Sequence, residues 1–405
     1  MLENYKKLKE NFYIMGGHMA DDMCQGSLPA ILAFMYQEGR LTSYADVAFI
    51  IMATTIVNAL MQPLTGLWAD RKPRPYLMCL GMVVAALGIM FMGFVENFAL
   101  LLILAAVNGF GVATFHPAAG KLANLFAAGQ VGRGMSIFSA GGNFGYALGP
   151  LLFTAGYMVM GLDATLLIGI PAFIMAVIFI RKNALYEQVS AQAAQQSQGK
   201  NQAELPQEDY KGTFFLLLLV FARSAGMFSL SAFIPLYFIH VLNEPDTLST
   251  LTNSAIVVCG GVATLVGGTF SDRFGFTQLT RWTSFLAVPF GLLFLLCSSA
   301  SLALLSLMVL SFFYYMAMSP IVVIGQKLLC RHLGLATGLT VGLGISFGGL
   351  IAPVLGAVGD HWGLTVAMET IVGIFALAAL LSLTIPVVNQ RQAAKAKAQA
   401  QAQPE

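Results

Sequence analysis

The chain has 405 residues, of which 57% are apolar and only 10% are charged, and its formal net charge is +2. Soluble domains are about 25% charged, so this composition excludes a nucleic-acid-binding protein, a secreted disulfide scaffold and an enzyme of the aqueous phase. The mean hydropathy of +0.76 and the long apolar runs predict a membrane protein.

The apolar runs predict membrane-spanning helices. A hydrocarbon core ~30 Å thick needs roughly 20 apolar residues per helix. The first six runs lie near 12–36, 44–69, 76–94, 98–125, 131–158 and 163–180. The second six lie near 212–241, 248–271, 279–297, 302–329, 334–359 and 364–386. We therefore expect an all-α integral membrane protein with 12 transmembrane helices.

Two polar segments, rich in Gln and Ala, interrupt this pattern. Because neither can build a packed core, we expect a linker and a tail without chemistry of their own. The predicted units are an N-terminal segment at 1–11, a six-helix bundle at 12–181, the linker at 182–211, a second six-helix bundle at 212–386 and the tail at 387–405.

The basic residues predict the orientation of the chain. With twelve helices, almost every Lys and Arg falls on one side, and Arg40 alone falls in a loop on the other. The positive-inside rule then places both termini and the linker in the cytoplasm. The five cysteines show neither zinc-ligand nor redox spacing, and no helix has an H-E-x-x-H pattern, so we expect free thiols, no cofactor and no metal.

The two halves share a repeat. Three residues of the loop after helix 2 recur 202 residues later: Gly66, Asp70 and Arg71 as Gly268, Asp272 and Arg273. Other pairs recur at 203: Gly141, Gly145, Gly149 and Pro150 as Gly344, Gly348, Ala352 and Pro353, and His116-Pro117 as Ser319-Pro320. Two bundles related by an axis along the membrane normal are the organisation of secondary transporters.

The loop from Gly66 to Arg74 resembles motif A of the major facilitator superfamily, and 268–275 resembles a degenerate second copy. A glycine permits close helix approach, and a carboxylate can cap the N-terminus of a neighbouring helix. The resemblance implies gating by Gly66, Asp70, Arg71, Arg74, Asp272 and Arg273. Ordinary loop chemistry under the positive-inside rule is the alternative.

Two further stretches resemble motifs of the same superfamily. Gly145-x3-Gly149-Pro150, extended by Gly141, is similar to the core of motif C of the antiporter branch, although its small residues would also serve plain helix packing. The segment 108–113 resembles the end of motif B. However, Ala105 stands where proton-coupled relatives have an arginine, so other residues must supply the intramembrane charges.

The segments 17–29 (GHMADDMCQGSLP) and 115–120 (FHPAAG) together resemble the fosmidomycin-resistance transporter group of that superfamily. This resemblance implies proton-driven efflux of a small anionic phosphonate antibiotic. The neighbouring charges fit such a role, because ionisable residues inside a membrane are costly and usually face a cavity or a partner.

Four ionisable residues fall near mid-membrane depth: Asp21, Asp22, His116 and Arg223. We expect proton coupling by Asp21, Asp22 and His18, and substrate binding by Arg223, His116, Gln25 and Asn143. The repeat offset places Arg223 within about a turn of the helix 1 aspartates, so we expect it to pair with an anion in each state. A structural hydrogen-bond seam and simple packing are the alternatives for the helix 1 stripe and for His116.

The leading hypothesis is a proton-coupled drug/H+ antiporter that exports a small anionic antibiotic such as fosmidomycin by alternating access. The alternative is a proton-coupled symporter that imports an organic anion or a sugar. An intramembrane enzyme would leave the duplicated glycine motifs unexplained, and nothing suggests a receptor or a channel. We expect a monomer in a bacterial-type inner membrane, with a small-molecule substrate, protons and lipid as partners and no nucleic acid.

Overall fold

The computed structural model describes residues 2–72, 74–198 and 207–388, and it contains no β-strand within these ranges. Its helices are α1 (Leu2–Gln37), α2 (Tyr44–Arg71), α3 (Tyr76–Met90), α4 (Phe98–Leu125), α5 (Val131–Met160), α6 (Thr165–Gln198), α7 (Tyr210–His240), α8 (Asp246–Phe274), α9 (Phe276–Leu296), α10 (Ala300–Met316), α11 (Met318–Leu328), α12 (Leu333–Thr337), α13 (Gly344–Trp362) and α14 (Leu364–Ser382).

These helices make twelve membrane spans, as predicted. The helices α1–α9 provide one span each, α10 and α11 form the tenth, α12 and α13 form the eleventh, and α14 is the twelfth. Nine stretches of the described chain are long and apolar enough to cross a membrane, and one of them, 131–195, contains α5 and most of α6. The predicted fold class, two pseudo-symmetric six-helix bundles, is confirmed.

The outer surface of the bundle is apolar, as a lipid-facing surface must be. Large hydrophobic side chains point outward, with Leu60 65% exposed, Leu151 64% and Met158 83%. Two large apolar clusters lie inside, one of which draws on both halves while the other lies in the second half. A helix satisfies all of its interior backbone hydrogen bonds by itself, which lets these surfaces contact hydrocarbon.

The sixth helix is longer than the sequence predicts. Residues 182–198 were expected in the linker, but they continue α6. The packing of this extension explains why it is helical. Tyr186 is fully buried and donates a hydrogen bond to Glu10 (3.1 Å), and Lys182 forms an ion pair with the same carboxylate (2.9 Å). Residues 199–206 of the expected linker and 389–405 of the tail lie outside the described residues.

The tenth and eleventh spans are not the single helices that were predicted at 302–329 and 334–359. The tenth breaks at Ala317, because Pro320 has no N–H group and its ring clashes with the carbonyl of Met316 one turn earlier. The eleventh contains a π-helical segment, Gly338–Leu343, whose glycines lower the local preference for a regular α-helix.

Helix α4 contains a proline in the same motif but stays continuous. Pro117 leaves the carbonyl of Ala113 without its helical partner, and the hydroxyl of Thr65 in α2 donates to that carbonyl at 2.5 Å. This bond between helices allows α4 to run through the proline. It holds His116, the residue before Pro117, on a regular helix.

The glycines of the motif C stretch lie directly against α1. A side chain at any of these positions would clash with a backbone carbonyl oxygen of α1, four residues further along α1 each time: Gly141 with Met15, Gly145 with Met19 and Gly149 with Met23. Small residues at every fourth position therefore let the two backbones touch. This contact sets the rotation of α1 and turns its polar stripe toward α4 and α5.

Candidate functional site

Three side chains from two helices meet in a buried cluster, which we call the His–Asp cluster: His18 and Asp22 of α1 and His116 of α4. The two Nε2 atoms lie 3.0 Å apart. The carboxylate of Asp22 lies 3.3 Å from Nε2 of His18 and 3.2 Å from Nε2 of His116. The sequence placed Asp22 and His116 at one depth, and the structure brings them into direct contact with each other and with His18.

The partners of the other ring nitrogens fix the orientation of both imidazoles. Nδ1 of His18 lies 2.7 Å from the carbonyl oxygen of Phe138, and Nδ1 of His116 lies 2.9 Å from that of Val112. A carbonyl only accepts, so we assign the Nδ1 proton to each ring from these bonds. Each neutral ring then presents a lone pair at Nε2. Two such lone pairs 3.0 Å apart repel unless one Nε2 carries a proton and donates it to the other, or a metal ion lies between them.

Asp21 is chemically different from its neighbour. It is fully buried, and neither of its carboxylate oxygens has a hydrogen-bond partner among the described residues. Its nearest basic atom is Nδ1 of His116, 3.9 Å away. A buried carboxylate without donors is strongly disfavoured in its ionised form. Asp21 and Asp22 are adjacent in sequence, but Asp22 lies between two imidazoles while Asp21 has no hydrogen-bond donor among the described residues.

Two residues that the sequence analysis passed over complete the cluster. The ring of Phe138 stacks on His18 with centroids 4.1 Å apart. Gly142 leaves room for the charges, because a Cβ there would lie 2.5 Å from the Asp22 carboxylate and 2.6 Å from Nε2 of His18. The available signal was the adjacent Gly141-Gly142 pair: if one glycine faces α1, the other lies about 100° around the helix, toward the cluster.

Arg223 lies in the second half, on α7, and its surroundings correct the expectation. Its guanidinium donates to the hydroxyl of Ser284 (3.2 Å) and to the backbone carbonyl of Tyr314, and it lies over the Tyr314 ring at 4.4 Å. Within the described chain it forms no ion pair with Asp21 or Asp22. The expected pairing with an anion in each state is wrong for this conformation, because an aromatic face and two oxygen acceptors compensate the charge instead.

The other two expected substrate ligands occupy different environments. Asn143 of α5 donates to the hydroxyl of Thr264 on α8 at 3.0 Å, so it joins the two halves near their middle. Gln25 is partly buried on α1, one turn beyond Asp21 and Asp22. Neither residue contacts the His–Asp cluster through a hydrogen bond given by the structure for the described residues.

The two repeated aspartates cap helices across the boundary between the halves. Asp70 accepts hydrogen bonds from the backbone N–H groups of Gly334 and Leu335, both at 3.0 Å, at the start of α12. Asp272 accepts from the N–H groups of Gly132 and Arg133, both at 2.9 Å, at the start of α5. A carboxylate at a helix N-terminus satisfies free N–H groups and the positive end of the helix dipole.

Glycines allow these caps to form. A Cβ at Gly66 would lie 2.6 Å from the carbonyl oxygen of Gly334, and a Cβ at Gly132 would lie 2.5 Å from that of Gly268. Gly132 and Gly334 were missed, although they too are 202 residues apart. Lys121, also missed, forms an ion pair with Asp70 at 3.0 Å.

The arginines of the same loops behave differently from the aspartates. Arg74 lies over the ring of Trp68 at 4.8 Å, and Arg273 lies over Phe274 at 5.3 Å. Arg71 is exposed at the end of α2. These side chains mark one end of the bundle, which we call the basic end, while the neighbouring carboxylates make the contacts between the halves.

A third polar contact crosses the boundary at the basic end. The side-chain oxygen of Gln326 on α11 accepts from Asn124 on α4 at 2.6 Å. Its amide nitrogen donates to the hydroxyl of Thr337 at 2.9 Å and to the carbonyl of Gly120 at 3.3 Å. The two halves are therefore held together at the basic end by helix caps and by this amide network.

Comparison with known proteins agrees with this architecture. A model of the Major Facilitator Superfamily matches residues 14–353. The fosmidomycin resistance protein of Escherichia coli is 28% identical over 390 residues, which cover 94% of each chain. An uncharacterized MFS-type transporter of Bacillus subtilis, YfnC, is 27% identical over 363 residues, which cover 87% of each chain.

Solved structures show the same fold. The transporter FucP of E. coli in its outward conformation superimposes with a TM-score of 0.72 at 14% identity, covering 94% of this chain and 99% of FucP. The human organic anion transporter MFSD10 (TETRAN) gives a TM-score of 0.70 at 16% identity, covering 94% of this chain and 99% of that one. The chain is therefore a multi-pass membrane transport protein, not an enzyme, and it belongs to the major facilitator superfamily.

Proposed function

We propose that this transporter is a proton-coupled drug/H+ antiporter that exports a small anionic antibiotic such as fosmidomycin by alternating access. The observation that carries the proposal is the His–Asp cluster with Asp21 beside it, a buried group of proton-binding side chains. The relative named for fosmidomycin resistance supports the choice of substrate. We place the protein in a bacterial inner membrane as a monomer with both termini in the cytoplasm.

Proton coupling follows from the different surroundings of the two aspartates. Asp22 is held between two imidazoles, which together with one added proton neutralise it. Asp21 has no donor on either oxygen, so it favours a proton of its own while it stays buried. Access of water from the cytoplasm would allow Asp21 to ionise and release that proton. We therefore assign proton exchange to Asp21. The His–Asp cluster lies beside it, so the charge of Asp21 changes the electrostatic environment of that cluster.

Arg223 is the proposed anion-binding residue. A guanidinium has five N–H donors, and two of them are used by Ser284 and Tyr314, so others remain for a phosphonate or carboxylate. Its planar fork matches two oxygens of such a group. The ring of Tyr314 holds the guanidinium in place before the substrate arrives. His116, Gln25 and Asn143 complete the proposed substrate site from the first half.

The helix caps are the proposed gate. By the positive-inside rule the basic end is cytoplasmic, so this conformation is closed to the cytoplasm. Opening requires Asp70 and Asp272 to leave the N–H groups of α12 and α5 together, because both pairs of contacts join the same two halves. Such a paired switch gives two discrete arrangements, which alternating access needs.

Transport into proteoliposomes with an imposed pH gradient tests the proposal. An antiporter accumulates radiolabelled fosmidomycin in vesicles with an acidic lumen, because protons leave as the substrate enters, whatever the orientation of the protein. A symporter accumulates its substrate only with an alkaline lumen, and that result would favour import of an organic anion or sugar instead. No gradient-dependent uptake of fosmidomycin, in protein that binds it, would refute the proton coupling.

A further inference from the structure

We propose that the His–Asp cluster also binds a divalent transition-metal ion, with Zn²⁺ as the best fit, through Nε2 of His18, Nε2 of His116 and the carboxylate of Asp22. The sequence predicted no metal, because these residues show no recognised spacing and one of them lies 98 residues from the first. The ligand set exists only after α1 and α4 have packed together. This inference does not depend on the direction of transport or on its substrate.

The distances between the three ligand groups are close to those of a zinc site. Zn²⁺ takes imidazole nitrogens and carboxylate oxygens at about 2.0–2.2 Å in a tetrahedral arrangement, which puts neighbouring ligand atoms about 3.3–3.5 Å apart. The cluster has 3.0 Å between the two nitrogens, 3.3 Å from Nε2 of His18 to one oxygen of Asp22, and 3.2 Å from Nε2 of His116 to the other. The three groups therefore already surround a point of the right size, and they need little movement to bind an ion there.

The surrounding hydrogen bonds prepare the imidazoles for a metal. Metal-binding histidines donate their other ring N–H to a carbonyl or carboxylate, which fixes the tautomer and the ring plane. Both rings do so here, toward the carbonyl groups of Phe138 and Val112. Their Nε2 lone pairs consequently face each other and Asp22, an arrangement that a cation would stabilise.

The charge of the pocket also fits a metal cation. With both imidazoles neutral, the three ligands carry the one negative charge of Asp22, which attracts a cation in this buried volume. A metal ion would displace the proton that otherwise lies in the cluster, because zinc ligands bind in their deprotonated forms. Nitrogen ligands select transition metals over Mg²⁺, which prefers oxygen and water.

Equilibrium binding to the purified protein tests this inference. Full-length protein in detergent is stripped with a chelator and titrated with ZnCl₂, and bound zinc per chain is measured by mass spectrometry of the metal. We expect one saturable Zn²⁺ per chain and no comparable binding of Mg²⁺. His116→Ala should weaken zinc binding more than about 10-fold. The matched control is His240→Ala, which removes an exposed histidine at the end of α7 and should leave the affinity unchanged.

A second variant and a second measurement distinguish loss of a zinc ligand from loss of the fold. Asp22→Asn removes the third ligand with little change of shape and should also weaken zinc binding. Zinc should raise the Tm of the original protein and of His240→Ala, but not of the two ligand variants, because only a folded-state site stabilises on binding. Equal zinc binding in all four proteins, or no saturable binding in the original, would overturn the inference. A protein that binds zinc here but moves no protons would refute the proposed function alone.

Discussion

Asp70 and Asp272 make the same contact in opposite directions across the boundary between the two halves. Asp70, on α2 of the first half, caps α12 of the second, and Asp272, on α8 of the second half, caps α5 of the first. Each half thus supplies one carboxylate and one helix N-terminus. Because both caps close the same end, the basic end is held by a symmetric pair of charge–dipole contacts.

We predict that Asp70→Asn lowers transport and loosens the basic end. Asparagine keeps one acceptor oxygen, but its amide nitrogen cannot accept from the second N–H group, and the ion pair with Lys121 is lost. A hydrogen bond to a charged group contributes about 1.5–3 kcal/mol. In a cysteine-free background, Thr340→Cys, a buried position beyond the cap, should react faster with a thiol reagent when Asp70→Asn is added.

The control for this gate prediction is Asp163→Asn, which changes an exposed aspartate in the turn between α5 and α6. It should alter neither transport nor thiol reactivity. Unchanged turnover and labelling in Asp70→Asn would show that the loop motif serves only to set topology.

A pair of glycine substitutions tests the packing of α5 on α1. Alanine normally stabilises a helix interior by about 1 kcal/mol relative to glycine. Gly145→Ala should nevertheless destabilise the protein by about 1–3 kcal/mol, because its Cβ would clash with the carbonyl oxygen of Met19. Gly373→Ala, in α14 with open space around its Cβ, is the matched control and should leave the Tm equal or higher. Thermal unfolding in detergent measures both, and equal shifts would contradict the packing argument.

Replacement of the two aspartates should separate their roles in coupling. Asp21→Asn should abolish pH-driven transport but still permit exchange of substrate without a gradient, because a permanently neutral residue mimics the protonated state. Asp22→Asn removes the negative charge that faces Nε2 of both imidazoles, so it should disturb the His–Asp cluster and weaken exchange as well. Proton-driven uptake and counterflow in proteoliposomes measure the two activities. If pH-driven transport persists in both variants and in the double variant, the proton site lies elsewhere, with Glu369 the next candidate.

The fold and the pairing of the two loop motifs could be predicted because their signals are local or repeated. Each apolar run predicts one membrane span, and the 202-residue repeat of Asp70 as Asp272 indicates that the two aspartates have equivalent roles. The breaks could not be predicted in this way. Pro117 and Pro320 occupy equivalent positions, but only the first is bridged, by the hydroxyl of Thr65, and that partner lies on another helix.

The candidate site shows the same limit more sharply. Depth along a helix follows from counting residues, and it placed Asp22 and His116 at one level, with His18 one turn earlier on helix 1. The contact among these three side chains depends on the rotation of α1 and α4, which the packing of α1 on the α5 glycines sets. Arg223 was misplaced for a related reason: the offset between the halves gives a register along the membrane normal, not the direction in which a side chain points.

A pH-dependent contribution to stability is expected at Glu208, just before α7. Its carboxylate accepts from the hydroxyl of Tyr210 (2.7 Å), the ring of His332 (2.9 Å) and the backbone N–H of Arg331 (3.0 Å). Burial alone would raise the pKa of Glu208, but these hydrogen bonds hold the pKa below its usual range. A lowered folded-state pKa means that this stabilisation is complete above the unfolded value of about 4.3 and is lost as the pH falls through the folded value.

Glu208→Gln should therefore destabilise the protein at pH 7 and have progressively less effect below about pH 4. Thermal unfolding of both proteins across this range provides the comparison. Glu96→Gln, at an exposed position between α3 and α4, is the control and should show no such trend. A difference between Glu208→Gln and the original protein that stays constant with pH would mean that the carboxylate charge contributes nothing.

Arg223→Lys tests whether the arginine recognises the substrate. Lysine keeps the positive charge but has no planar fork, so it cannot present two parallel N–H groups to a phosphonate or carboxylate. Binding of anionic substrates should weaken by about 1–3 kcal/mol, while neutral compounds, if transported, should be much less affected.

The control is Arg281→Lys: Arg281 donates to the carbonyl groups of Ser382, Leu383 and Ile385 at the end of α14, so its replacement should lower stability without changing selectivity. Direct binding of matched anionic and neutral compounds distinguishes the two arginines. Equal loss for both kinds of compound in Arg223→Lys would assign Arg223 to structure, because an arginine that only holds α7 to Ser284 and Tyr314 has no reason to prefer an anion.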